Sequence, residues 1–445
     1  MPLRVSVSGI RGVIGDGLDA VTAARWAAAF GAWLPPGPVV VGRDSRPSGP
    51  VLLQAVAAAL RSTGHDVVDI GVTTTPTTEL AVQESDAVGG VIITASHNPQ
   101  PWNALKLLDG QGLFLSAAAN AALREHLARE DGHVPWDRLG KLQSRDDAER
   151  NHLDALLALP WLDRDRIAAR GLTAVVDAVE GAGGRIVPAL LAELGVRCVP
   201  LHCGMSGLFP HPPEPTPAHL QELSEAVVRE GADLGFAVDP DVDRLVLADG
   251  TGRVLSEELT LVLAVDFVLS RTPGDVAVNL STTGLVETVA ARYGAAVHRT
   301  PVGEANVVAT LLERGGVIGG EGNGGVIYPA LHPGRDALVG IAMVLQLLAE
   351  READLAAVVA GYPPVTMLKT SFDQAEPPPA DELAERMRAW GGDVDTRDGV
   401  RWSDGDAWVH VRPSNTEPIV RIIAEAPDTA RAEALVADVR ELLGR

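Results

Sequence analysis

The chain has 445 residues, 46% of them hydrophobic but only 4% aromatic, with a formal net charge of -22. That length corresponds to roughly three or four domains, and their cores must be mostly aliphatic. So acidic a surface excludes nucleic acid and anionic membrane lipid as partners; an anionic small molecule would have to be held by local Arg, Lys, metal and backbone N–H groups.

The first segment, MPLRVSVSGIRG, shows no apolar leader region. Val39–Val41 reads as a short buried strand ending in Gly42-Arg43-Asp44, and Val51–Leu60 as a helix with a broad apolar face. Val91–Ile93 is a second buried strand, running into Thr94-Ala95-Ser96. Thr173–Val176 is a strand, and Ile186–Leu194 a helix closed by Gly195. Cys198 and Cys203 flank His202 but give no disulfide framework; they read as packed free thiols rather than as a metal site. Leu234–Val238 is a strand feeding Asp239. The most apolar stretch, Leu259–Leu269, is too short to span a membrane and carries Asp266. Val276–Leu280 is a strand followed by a helix from about Leu285, and Val317–Ile318 a strand ending in a glycine-rich loop. Beyond the Pro-rich spacer at Glu376-Pro377-Pro378-Pro379 lie strands around Trp408–Val411 and Ile419–Ile423 and a helix from about Thr429.

Short continuous apolar strands alternating with helices indicate sheets covered on both faces. Three times such a strand ends in a loop dense in polar or glycine residues, and ligands of α/β sheets bind beyond the carboxyl ends of strands. The expected fold is therefore α/β. Three similar α/β domains with mixed sheets (1–147, 148–251 and 252–362) and a smaller C-terminal α+β domain (363–445) would surround a central cleft. A cytoplasmic protein is expected, and monomer and homodimer both remain open.

Four loops carry chemistry. In Thr94-Ala95-Ser96-His97-Asn98-Pro99 a serine stands at the end of a buried strand, before a turn set by Asn98-Pro99. In Asp239-Pro240-Asp241-Val242-Asp243-Arg244 three carboxylates alternate with non-ligands. In an extended chain they point one way, and they repel one another unless a cation sits among them. All-oxygen ligands suit Mg²⁺. A solvated acidic turn and an aspartyl-phosphate nucleophile at Asp239 are the competing readings. Gly319-Gly320-Glu321-Gly322-Asn323-Gly324-Gly325 lets backbone approach a ligand closely, with Glu321 and Asn323 able to accept from sugar hydroxyls. Arg412-Pro413-Ser414-Asn415-Thr416-Glu417-Pro418, with Arg421 beyond, offers cations, hydroxyls and turn amides to a phosphate.

These four motifs, in this order, resemble the α-D-phosphohexomutase family, and the resemblance runs from Ser8-Gly9-Ile10-Arg11-Gly12 to Arg421. It implies an isomerase that passes a phosphoryl group between the 6- and 1-hydroxyls of a hexose phosphate, through phospho-Ser96 and a 1,6-bisphosphate. Asp239, Asp241, Asp243 and the Ser96 phosphate would bind one Mg²⁺, and a hexose 1,6-bisphosphate would activate unphosphorylated enzyme. The resemblance places Lys106 in acid–base work, Arg244 on the transferring group, and Arg11 and His97 beside the serine. Glu321 and Asn323 would read sugar hydroxyls, while Arg412, Ser414, Asn415, Thr416 and Arg421 would hold the idle phosphate. Several family members have Ser-Gly-His where Asn323-Gly324-Gly325 stands, so no base role carries over from that histidine. His332 could substitute, or be a structural histidine on a helix. The Gly320–Gly325 sequence is most like a bacterial and archaeal subgroup acting on glucosamine phosphate; glucose and mannose phosphates are the alternatives. A Mg²⁺-dependent sugar-phosphate phosphatase and a non-catalytic binding protein are more distant readings.

Overall fold

The computed structural model describes residues 3–6, 9–373, 379–413 and 419–444. Its strands form four sheets. In the first, Val39–Arg43 lies parallel between Val67–Val72 and Gly89–Ile93, and Trp102–Asp109 then pairs antiparallel with Gly89–Ile93. The second sheet runs Arg197–Leu201, Thr173–Asp177, Leu234–Val238, Leu245–Asp249, with only the last pair antiparallel. The third runs Val297–Thr300, Val276–Asn279, Ile318–Glu321, Gly325–Tyr328, His332–Arg335, parallel and then antiparallel. The fourth is a five-stranded antiparallel sheet in the order Thr366–Asp373, Ile419–Ala426, Trp408–Pro413, Val400–Ser403, Asp393–Asp395.

The repetition is thus structural as well as sequential. In each of the first three sheets the signature loop joins a parallel strand to an antiparallel one: Gly89–Ile93 to Trp102–Asp109, Leu234–Val238 to Leu245–Asp249, and Ile318–Glu321 to Gly325–Tyr328. A simple strand–loop–helix grammar anticipates a helix after each loop. The returning strands are buried on both faces, so they show no alternation that would mark them as strands.

The helices Glu258–Leu269 and Ala337–Arg351 are apolar almost all round and nearly wholly buried. Such a helix needs partners on every side. They lie in one continuous core that joins the second and third sheets, while the first and fourth sheets have cores of their own. Asp266 is tolerated inside this core because Tyr293, Tyr362 and Arg351 all donate to it at 2.6 Å. Among the described residues no helix is long and apolar enough to cross a membrane.

The fourth domain docks on the third through polar contacts. Lys369 Nζ donates to Glu257, Glu258 and the Gly322 carbonyl at 2.8–2.9 Å. Serving two carboxylates, Lys369 keeps its charge firmly, whereas burial pushes Glu258 up to about 7 despite the lysine. His410 Nδ1 meets the Ser281 hydroxyl at 2.8 Å and its Nε2 donates to the Asp398 carbonyl at 2.6 Å.

Candidate active site

Three strand ends deliver their loops to one point. Ser96, which caps no helix, has φ +49°, a left-handed conformation that non-glycine residues adopt only when held there. Arg46 holds it. This fully buried guanidinium donates to the Ser96 and Asn98 carbonyls at 2.7 Å, to Trp102 O at 3.0 Å and to Pro99 O at 3.1 Å. Its Nε pairs with buried Asp44, which also accepts from Thr94 Oγ1. The loop is therefore wrapped around a cation, and the serine hydroxyl is aimed at Asp239 Oδ2, 2.7 Å away.

Asp239, Asp241 and Asp243 are all fully buried, with one oxygen of each lying within 4.8 Å of the others. The Pro240–Val242 turn that presents them is pinned from both sides. The first amides of two helices donate to it: Thr75 N, opening Thr75–Gln83, to Asp241 O, and Ala337 N, opening Ala337–Arg351, to Val242 O. Helix N-termini have such unsatisfied donors to spare. Gly324 at φ +86° lets the third loop lie against this second one, with Leu245 N donating to Gly324 O at 3.0 Å. A side chain at 324 would strike the Leu245 backbone.

Cations from two other domains face the triad. Lys106 Nζ donates to Asp241 Oδ2 at 2.6 Å and approaches Asp243 at 3.5 Å. Burial alone would lower Lys106, but Asp241 and Asp243 outweigh it, so the ammonium is held charged and Asp241 lies far below the usual carboxylate range. Arg335 donates to Asp243 at 2.7 Å and to Glu304 and Glu321 at 3.1 Å. Asp239 is the contrary case: burial and its two acidic neighbours push it well above the usual range. Asp241 Oδ1 and Asp243 Oδ1 are buried with no hydrogen-bond partner. Three crowded carboxylates with two orphaned oxygens and a serine hydroxyl form an all-oxygen set that fits a hard divalent cation.

His97, partly open beside the serine, has Nδ1 3.3 Å from Ser96 Oγ; burial, helped by Arg244 and Arg11, holds it neutral. Arg11 Nη1 donates to Asn98 Oδ1 at 2.8 Å, bracing the serine loop. Arg244 reaches Glu214 at 3.5 Å, with its Nε 3.7 Å from Asp243. Glu321 is buried and already accepts from Asn279, Gly303 N and Arg335. Asn323 Nδ2 reaches it at 3.5 Å. His332 lies on a strand, not on a helix, buried with Nδ1 3.6 Å from Glu79 and Nε2 3.7 Å from Asp336, both too far for a hydrogen bond.

Ser414, Asn415 and Thr416 lie outside the described residues. The strands on either side place Arg412 and Arg421 directly opposite one another in an antiparallel pair. Like charges so placed are destabilising, and an anion between them reverses the sign. Cys198 and Cys203 are free thiols, with Cys203 pushed up to about 12, chiefly by burial.

Models of the phosphoglucomutase/phosphomannomutase family match the chain in four consecutive pieces: α/β/α domain I over residues 4–133, domain II over 150–252, domain III over 256–365 and the C-terminal domain over 369–442. The chain belongs to the phosphoglucomutase/phosphomannomutase family. It is an enzyme of the phosphohexomutase type, an isomerase. A phosphoglucomutase/phosphomannomutase of Thermococcus kodakarensis is 37% identical over 95% of this chain and 94% of its own. A protein of Methanopyrus kandleri named as a probable phosphoglucosamine mutase is 36% identical over 96% and 95%. The crystal structure of a family member from Burkholderia thailandensis superposes with a TM-score of 0.86 at 29% identity, covering 99% of this chain and 97% of that one.

Arg46, Asp44, Thr75, Glu304 and Arg335 belong to none of the four motifs. Asp44 and Arg46 did leave a trace, since Gly42-Arg43-Asp44-Ser45-Arg46 is another polar loop at the end of a buried strand.

Proposed function

We propose that this enzyme interconverts glucosamine 6-phosphate and glucosamine 1-phosphate in the cytoplasm, with Ser96 as the phosphoryl carrier. The observation that carries the reading is the Ser96 hydroxyl held 2.7 Å from a buried aspartate triad with orphaned oxygens. Asp239, Asp241, Asp243 and Ser96 would hold the cation, Mg²⁺ by its oxygen-only donors, which offsets charge on the transferring group when bound.

The chain's own residues account for the rest. Phospho-Ser96 passes its phosphoryl to the free sugar hydroxyl: the Oγ–P bond breaks, a new O–P bond forms, and the hydroxyl proton leaves to a base. The 1,6-bisphosphate turns over and returns its other phosphoryl to Ser96 Oγ. Lys106, charged in the resting state, serves as a proton donor and counter-charge, and neutral His97 stands beside the serine. Arg244 and Arg11 steady the transferring group and its loop. Glu321 and Asn323 face the sugar, and Arg412 and Arg421, with Ser414, Asn415 and Thr416, hold the idle phosphate. A hexose 1,6-bisphosphate primes unphosphorylated enzyme. Domain limits after residues 147, 251 and 362 are part of the same reading. The T. kodakarensis relative's name supports glucose and mannose phosphates as the second reading.

Phosphorus NMR of glucosamine 6-phosphate, glucose 1-phosphate and mannose 1-phosphate with Mg²⁺ and a trace of bisphosphate tests this. Exchange of 1- and 6-phosphate without free phosphate is expected, fastest with glucosamine, and lost in Ser96→Ala. Transfer that survives in Ser96→Ala overturns the serine role, and release of free phosphate alone indicates a phosphatase.

A further inference from the structure

A second cluster of ligand-type side chains lies in the second domain, outside the catalytic motifs. Asp177 ends the Thr173–Asp177 strand, and His202 and His211 stand at the two ends of the loop that follows the neighbouring Arg197–Leu201 strand. One ligand atom from each lies within 4.8 Å of the other two. The carboxylate is buried at the floor, with 1% of its side chain exposed, while the imidazoles keep 15–19% open to solvent.

The hydrogen bonds show which nitrogens face the cluster. His211 Nδ1 faces the Pro212 carbonyl at 2.9 Å, which can only accept, so that nitrogen carries the proton. Nε2 lies 3.0 Å from Asp177 Oδ2, so the gap is closed by a second proton on His211 in the metal-free protein and by a cation when one is bound. Two acceptors face each other unless a cation or a proton lies between them. Glu222 holds one nitrogen of His202 at 2.6 Å, which leaves the other nitrogen as the electron-pair donor. A carboxylate behind a ligating imidazole is a recurrent outer-shell arrangement of metal sites. The surroundings favour a cation: Glu180 accepts from Gly204 N and Ser206 N in the same loop, and residues 202–212 contain no Lys or Arg. The backbone is bent to make the cluster, with His202, Val179, Glu180 and Met205 all at φ between +46° and +57°.

We propose that Asp177, His202 and His211 form a second metal site, selective for a divalent transition cation of the Zn²⁺ type. Two imidazoles and one carboxylate suit Zn²⁺ and its neighbours, whereas Mg²⁺ prefers oxygen. The cation ties together both ends of the 202–212 loop. That loop in turn grips the segment after Ser96: Gln100 Nε2 donates to Gly207 O at 2.6 Å, Phe209 N donates to Gln100 Oε1 at 2.9 Å, and the Phe209 ring lies 4.7 Å from the Arg46 guanidinium. The metal acts as a positioning element, not as a reactant.

Equilibrium dialysis of the whole protein against Zn²⁺ in saturating Mg²⁺ should give one bound Zn²⁺ per chain. His202→Ala and His211→Ala should each weaken it by more than about 100-fold, beyond the cost of losing an outer-shell partner. X-ray absorption on the Zn²⁺-loaded wild type adds a readout independent of variant folding and should show imidazole nitrogens at about 2.0–2.1 Å. No binding in Mg²⁺, an all-oxygen shell, or undiminished binding by the folded histidine variants would each overturn the site.

Discussion

Replacing Arg46 by Met removes the cation around which the Ser96 loop is wrapped while keeping most of the side chain's volume. The loss can be scaled from the contacts. Five backbone carbonyls lose a donor, and the fully buried Asp44 loses its counter-ion. Breaking a buried pair by removing one partner costs about 3–5 kcal/mol. Asp44 keeps Thr94 Oγ1 and its own loop amide, which limits the damage, so about 4 kcal/mol is expected. Hydrogen exchange reads this locally. At about 1.4 kcal/mol per decade, amides of Gly89–Ile93 and Trp102–Asp109 that exchange only through opening of their domain should exchange roughly 10³-fold faster. Those of the Trp408–Pro413 strand should not change. Adding Asp44→Asn should recover part of the loss, because no uncompensated charge is then left behind. Wild-type exchange rates across both strands in Arg46→Met would refute the view that this guanidinium holds the nucleophile's loop.

Lys106→Met should lower kcat/KM by about 10²–10⁴, the range for a positioned proton-transfer group, with circular dichroism unchanged; a loss below tenfold would remove Lys106 from the chemistry. Arg335→Met strands Asp243, Glu304 and Glu321 together and should destabilise the third domain by about 3–5 kcal/mol; thermal unfolding checks this, and Glu304→Gln in the same chain should restore part of the loss. His410 is fully buried and pushed down to about 4, by burial first. The folded state thus refuses a proton that the unfolded chain takes up near the ordinary value of 6.5. Stability is complete above that pH and falls by about 3 kcal/mol as pH drops from 6.5 through 4. Unfolding of the C-terminal domain followed against pH should be flatter over that window in His410→Asn, and parallel profiles would contradict the account.

The strands that end in the serine and aspartate loops were legible because each is a short apolar run stopped by polar residues, whereas the third, Ile318–Glu321, runs on through the glycines and Glu321 that read as loop. The returning strands were not legible, since Leu245–Asp249 and Gly325–Tyr328 are buried on both faces and carry no period. The same distinction holds at the site. Ser96 and the three aspartates announce themselves by local pattern. Arg335 sits in His332-Pro333-Gly334-Arg335, where nothing local foretells that three carboxylates from two domains will converge on it. His332 read more readily as a structural histidine than as a spare base, and the structure buries it between Glu79 and Asp336, on a strand and not on a helix.

The antiparallel pairing of Gly89–Ile93 with Trp102–Asp109 sets Lys106 opposite Ile92. Leu105 and Leu107, on either side of it, face the apolar layer of the first domain. Side chains alternate along a strand, so slipping the hairpin by one residue exchanges the two faces. An insertion or deletion of a single residue between Ser96 and Lys106 that shifted this register would leave the serine in place, drive an ammonium into the leucine layer and set a leucine against Asp241. Point substitutions can accumulate in this connection, but its length is fixed by the distance the chain must count between nucleophile and lysine.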